Sequence, residues 1–133
     1  GSGAGSSNDA WIDTISENHM VVYHERYLRR LLALPKRPAV IMLQTWADGT
    51  WRDPGDPGYH PFHVGVQDLY GALAQYYDIG WLSARNALYR LTRVTQEWQI
   101  ADVLTDDRRH ATDAGHAALA DLVVWLLQST VID

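Results

Sequence analysis

The chain has 133 residues, the size of one small domain, with 47% hydrophobic and 20% charged side chains. Its formal net charge of −5 argues against a nucleic-acid backbone or an anionic membrane surface as the main partner. It has no cysteine, which excludes a disulfide framework and any thiolate metal site. No apolar run approaches the roughly 18 residues that span a bilayer, so no transmembrane segment is expected.

Residues 1–7 read Gly-Ser-Gly-Ala-Gly-Ser-Ser, a flexible tail or linker composition with nothing to bury. The folded part is expected to run from 8 to 133. His19 to Leu34 reads as an amphipathic helix, with Met20, Tyr23, Tyr27, Leu28, Leu31 and Leu34 at helical spacing. Glu25 and Arg29 sit four apart in the favourable order, and Pro35 stops the helix. Ala39 to Trp46 is an apolar run with β-branched residues, the pattern of a strand buried on both faces in a parallel sheet. Asp48 to Pro61 holds Pro54, Gly55, Pro57 and Gly58 and reads as a loop.

Val66, Leu69, Tyr70, Leu73 and Tyr77 mark a second amphipathic helix, and Ile79 to Ser83 a second short buried strand. Ala84 to about Val94 is helix-like, with Ser83 as its cap. Thr112 is a natural N-cap for a last helix carrying Leu119, Leu122, Val123 and Leu126 on one face. Strands alternating with helices imply a parallel sheet with helices packed on it.

Two features carry chemistry. Asp107 and His110 form an Asp-x-x-His pair on a loop before the last helix. There the carboxylate can hold the Nδ1 proton and leave Nε2 free to act as a base. Six Trp and seven Tyr stand against one Phe. Such rings suit sugar-binding surfaces and partner interfaces as well as cores. Trp46, Trp51 and Tyr59 are the candidates for a stacking platform, the alternative being a loop folded over the sheet edge. His60-x-x-His63, with Asp53 and Asp56 nearby, lacks a third ligand at defined spacing, so no metal site is expected.

The block from Asp107 through His110, Gly115 and His116 into a helix resembles the final block of the SGNH/GDSL-type hydrolases. In that family Asp-x-x-His continues as Pro-Ser-x-x-Gly-His; here Ala111-Thr112 replaces Pro-Ser. Asn8-Asp9 is similar to the family's Gly-x-Asn-Asp block, with the glycine displaced by one residue. Pro38 to Trp46, Val66 to Tyr77 and Ile79 to Leu88 resemble its structural segments. Together the likeness covers about residues 8 to 130.

The resemblance implies a three-layer α/β/α sandwich around a parallel sheet, flavodoxin-like and incomplete at its N-terminal side. It implies His110 as general base and acid, Asp107 as its orienter and Asn8 as an oxyanion-hole donor. The substrate would be an acyl or acetyl ester, with a carbohydrate ester in view, and no cofactor is needed. The family's Gly-Asp-Ser block is not in the chain: Gly55-Asp56-Pro57 lacks the serine, and Ser2, Ser6 and Ser7 follow no strand. The expected partner is therefore an N-terminal segment or partner chain that supplies the nucleophile and covers the open side. The other reading is a non-catalytic scaffold or accessory subunit built on the same fold.

Overall fold

A computed structural model describes residues 18–49, 52–60 and 66–132. The elements in order are α1 (His19–Leu32), β1 (Ile41–Gln44), α2 (Val66–Tyr76), β2 (Gly80–Ser83), α3 (Ala84–Tyr89), α4 (Ile100–Val103) and α5 (Asp113–Ile132). A π-helical turn, Arg90–Val94, follows α3 directly. The fold is mixed α/β, with β1 and β2 paired in a small parallel sheet. The chain divides into two compact units, residues 1–42 with 63–81 and residues 43–62 with 82–133.

In the first unit Asn18 caps α1, its Oδ1 accepting the Met20 and Val21 N–H groups at 3.1 and 3.2 Å. Val21 and Leu28, two turns apart, pack with Met42, Leu73 and Ala74. This corrects the expected face in part: Leu28 is buried as its spacing predicts, but Met20, Tyr23, Tyr27 and Leu34 are exposed, and Val21, outside the expected stripe, takes the other core position. The buried stripe also contains His24, which stacks on Tyr70 at 4.2 Å and whose pKa is lowered by burial. Glu25 pairs with Arg29 at 2.9 Å and accepts the Tyr77 hydroxyl. α2 presents Leu69, Tyr70 and Leu73 inward, as its periodicity predicts. It ends where Asp78 turns left-handed at φ 53° and the Ile79 N–H reaches back to the Ala74 carbonyl at 2.9 Å.

In the second unit Trp46, Ala84, Leu88, Val103 and Leu104 form the core, with Ala118 and Leu119 of α5 against it. Ser83 ends β2 and caps α3, its Oγ accepting the Asn86 N–H at 3.1 Å. The helix then widens. Thr95 N–H bonds Arg90 O five residues back at 2.8 Å, and the Thr92 hydroxyl donates to Leu88 O at 2.8 Å. Thr112 caps α5, accepting the Gly115 N–H at 3.1 Å and donating to Asp102 O at 2.5 Å. Gly115 is obligatory here: a β-carbon would lie 2.1 Å from Val103 O.

Two surfaces differ from the sequence expectation. Leu43 of β1 is 39% exposed while Met42 is buried, so β1 alternates instead of being covered on both faces. On α5, Trp125 and Val131 are 60% and 84% exposed, with Val124 and Leu127 beside them. By length and composition Asp113–Val131 is apolar enough to cross a membrane, with a mean hydropathy of 1.2, although no unbroken apolar run marks it in the sequence. Little of this stretch is buried, and Asp121 near its middle would be costly in hydrocarbon.

Candidate active site

The site is built on the connection between α4 and α5. Leu104 and Ala111 form an antiparallel bridge. Thr105 N–H donates to His110 O at 2.8 Å and Arg108 N–H to Thr105 O at 2.8 Å, closing a tight turn over 105–110. Such a turn needs one residue in the left-handed region, and Arg108 supplies it at φ 57°. A non-glycine residue held there costs about 1–2 kcal/mol.

The turn organises Asp107. Its Oδ1 accepts the Thr105 hydroxyl at 2.7 Å, the Arg109 N–H at 2.9 Å and the His110 N–H at 3.1 Å. Its Oδ2 faces His110 Nδ1 at 2.5 Å. The Thr105 hydroxyl above all, then the Arg109 N–H and the His110 side chain and N–H, hold the Asp107 carboxyl well below the usual carboxylate range. An ionised carboxylate beside Nδ1 favours the tautomer with its proton on Nδ1, which leaves Nε2 as the acceptor.

His110 opens on a cavity of about 300 Å³, at the small end of ligand-pocket sizes. Trp46, Leu88, Val103 and Leu119 give it apolar walls, and Arg109 and His116 join His110 in its lining. Thr45 and Trp46 lie just beyond the end of β1, and Ala84 just beyond the end of β2. The dyad therefore faces residues that follow the carboxyl ends of the parallel strands, where ligands bind in open α/β sheets.

A second polar cluster adjoins the turn. Asp48 is 0% exposed. Arg93 from the π-helical turn grips it bidentately, Nε to Oδ1 at 3.1 Å and Nη2 to Oδ2. That hydrogen bond to Asp48 is the main reason the Arg93 pKa is raised. The Asp48 N–H donates to Arg108 O at 3.0 Å. Arg108 Nη1 donates to Arg52 O at 2.9 Å, and its Nη2 pairs with Asp53.

The structure thus brings Asp107, His110 and Trp46 to one place. Trp46 is 4% exposed and lines the cavity wall, so it offers no open stacking surface. Tyr59 lies instead against Gly49, whose φ is +66° and where a β-carbon would meet its ring at 3.2 Å. Burial raises the Tyr59 pKa, with Arg93 acting against it. Asn8, Trp51, His63, Ser2, Ser6 and Ser7 lie outside the described residues.

Sequence reasoning passed over Thr105, Asp48, Arg93 and Arg108. Asp48 read as part of a turn, although an acid just past a parallel strand was a signal worth weighing. Arg93 gave none, since its partner is distant in sequence. No family model, curated protein or solved structure matches this chain.

Proposed function

We propose that this chain carries the acid–base half of an SGNH-type serine esterase. The observation that carries the reading is the 2.5 Å contact of Asp107 Oδ2 with His110 Nδ1, on a turn that opens on a largely apolar cavity. A serine hydroxyl would give its proton to His110 Nε2 as its oxygen attacks the ester carbonyl. Asp107 stabilises the resulting imidazolium, which then protonates the leaving alcohol. Water repeats the sequence on the acyl-enzyme.

The serine would come from a segment outside residues 18–132, or from a partner chain, and Asn8 would be an oxyanion donor. The exposed Leu43, Val124, Trp125 and Leu127 support further protein lying against this part of the fold, which completes a three-layer α/β/α sandwich. The substrate class is an acyl or acetyl ester, and the Trp and Tyr content favours one carried on a carbohydrate. A second reading, a non-catalytic scaffold, rests on a specific fact: the 133 residues contain no Gly-Asp-Ser.

The test is hydrolysis of short-chain p-nitrophenyl esters by the native polypeptide as its own reading frame encodes it. His110→Ala is expected to lower kcat by at least about 10³-fold, and Asp107→Asn by roughly 10⁴-fold with the fold intact. Absence of turnover in the wild type overturns the esterase reading in favour of the scaffold, and so does turnover indifferent to His110.

A further inference from the structure

The dyad sits on a turn whose geometry is held from outside. Asp107 and His110 flank Arg108 and Arg109, and the turn can close only with Arg108 at φ 57°. A β-branched or bulky residue leaves this region unless its neighbours over-determine it. Arg108 has three such ties, to Asp48, Arg52 and Asp53. Its carbonyl accepts the Asp48 N–H at 3.0 Å. Its Nη1 donates to Arg52 O at 2.9 Å and its Nη2 pairs with Asp53. Asp48 is itself fully buried on Arg93, and Gly49 next to it turns left-handed against Tyr59.

We propose that Arg108 is the positioning residue of the dyad, clamped to Asp48, Arg52 and Asp53 so that the turn aims the Asp107 carboxylate at His110 Nδ1. The assignment rests on the reading of Asp107 and His110 as a catalytic pair. Arg108 touches neither imidazole nor substrate; it acts through Asp107, whose Oδ1 takes the N–H groups of the two residues that follow Arg108. The same clamp explains why an arginine occupies a position that glycine would fill without strain. The side chain contributes orientation that glycine lacks.

The contrast between strain and clamp makes the test sharp. Arg108→Gly removes both side-chain ties and the left-handed strain together. Its melting temperature should therefore stay within a few degrees of wild type. Its His110 Nδ1–H, followed by nitrogen-detected NMR, should exchange with water roughly ten-fold faster, the effect of one or two lost hydrogen bonds. Arg108→Lys, which keeps one tie, should fall between. Gly49→Ala, which crowds Tyr59 and Arg108 from the other side, should loosen the same resonance. If Arg108→Gly leaves Nδ1–H exchange at the wild-type rate, Arg108 is structural and the positioning role is wrong. If the wild type has no protected Nδ1–H at all, the dyad reading fails and the positioning role falls with it. The two failures are thus told apart by the wild-type spectrum.

Discussion

Asp107 is the residue on which the site turns, and its environment makes a prediction with a definite sign. Four contacts favour its ionised form, from the Thr105 hydroxyl, the Arg109 N–H, the His110 N–H and the His110 ring. A carboxyl depressed in the folded state stabilises the fold fully above its unfolded value of about 3.9. That contribution erodes as pH falls from there through the lower folded value. The turn should therefore be intact at neutral pH and down to the ordinary carboxylate range. Carbon-13 shifts of the Asp107 carboxyl should titrate clearly below the ordinary carboxylate range, and a midpoint within that range would contradict the hydrogen-bond pattern. Thr105→Ala, which removes the largest contributor, should bring the Asp107 midpoint up towards the ordinary carboxylate range. Gly115 gives a second residue-level expectation. Its missing β-carbon leaves room for Val103 O at a distance no side chain tolerates. Gly115→Ala should destabilise the fold by about 1–3 kcal/mol as the first turn of α5 is pushed off α4. Thermal unfolding reads this, with an unchanged melt as the contrary result.

At the scale of elements, the π-helical turn Arg90–Val94 matters because it carries Arg93 to Asp48. Asp48 is wholly buried, so removing its carboxylate strands a guanidinium that is itself mostly covered. Asp48→Ala should cost about 3–5 kcal/mol by urea unfolding, whereas a loss below about 1 kcal/mol would mean that water reaches the pair. Much of this level was legible in the sequence. The strand at Ile41–Gln44, the helix at Val66–Tyr76 and the caps at Ser83 and Thr112 follow from local pattern and hydroxyl chemistry, and each forms where that pattern puts it. The Asp107–His110 contact was legible for the same reason, since both partners lie within one turn. What escaped was either non-local or aperiodic. Asp48 and Arg93 are 45 residues apart, and an i→i+5 turn leaves no periodic trace. The face of α1 was legible only in part: Leu28 was read as inward and is, but Tyr23 and Tyr27 fit an apolar stripe as well as Val21 does, and only packing against Leu73 and Met42 selects Val21.

For the whole molecule, the exposed Val124, Trp125, Leu127 and Val131 all lie on α5. Exposed apolar surface gathered on one helix points to a covering partner. The 133-residue chain by itself should bind a hydrophobic dye such as ANS, and it should self-associate as its concentration rises. Sedimentation that stays monomeric with no dye binding would contradict this. The central claim is that His110, held by Asp107, activates a serine. Labelling with a fluorophosphonate, which reacts only with activated serines, tests it most directly when applied to the native polypeptide and read by intact mass. The account predicts a single covalent adduct on a serine, abolished in His110→Ala and slowed in Asp107→Asn. An adduct that forms equally well without His110, or none at all on the native polypeptide, would contradict it.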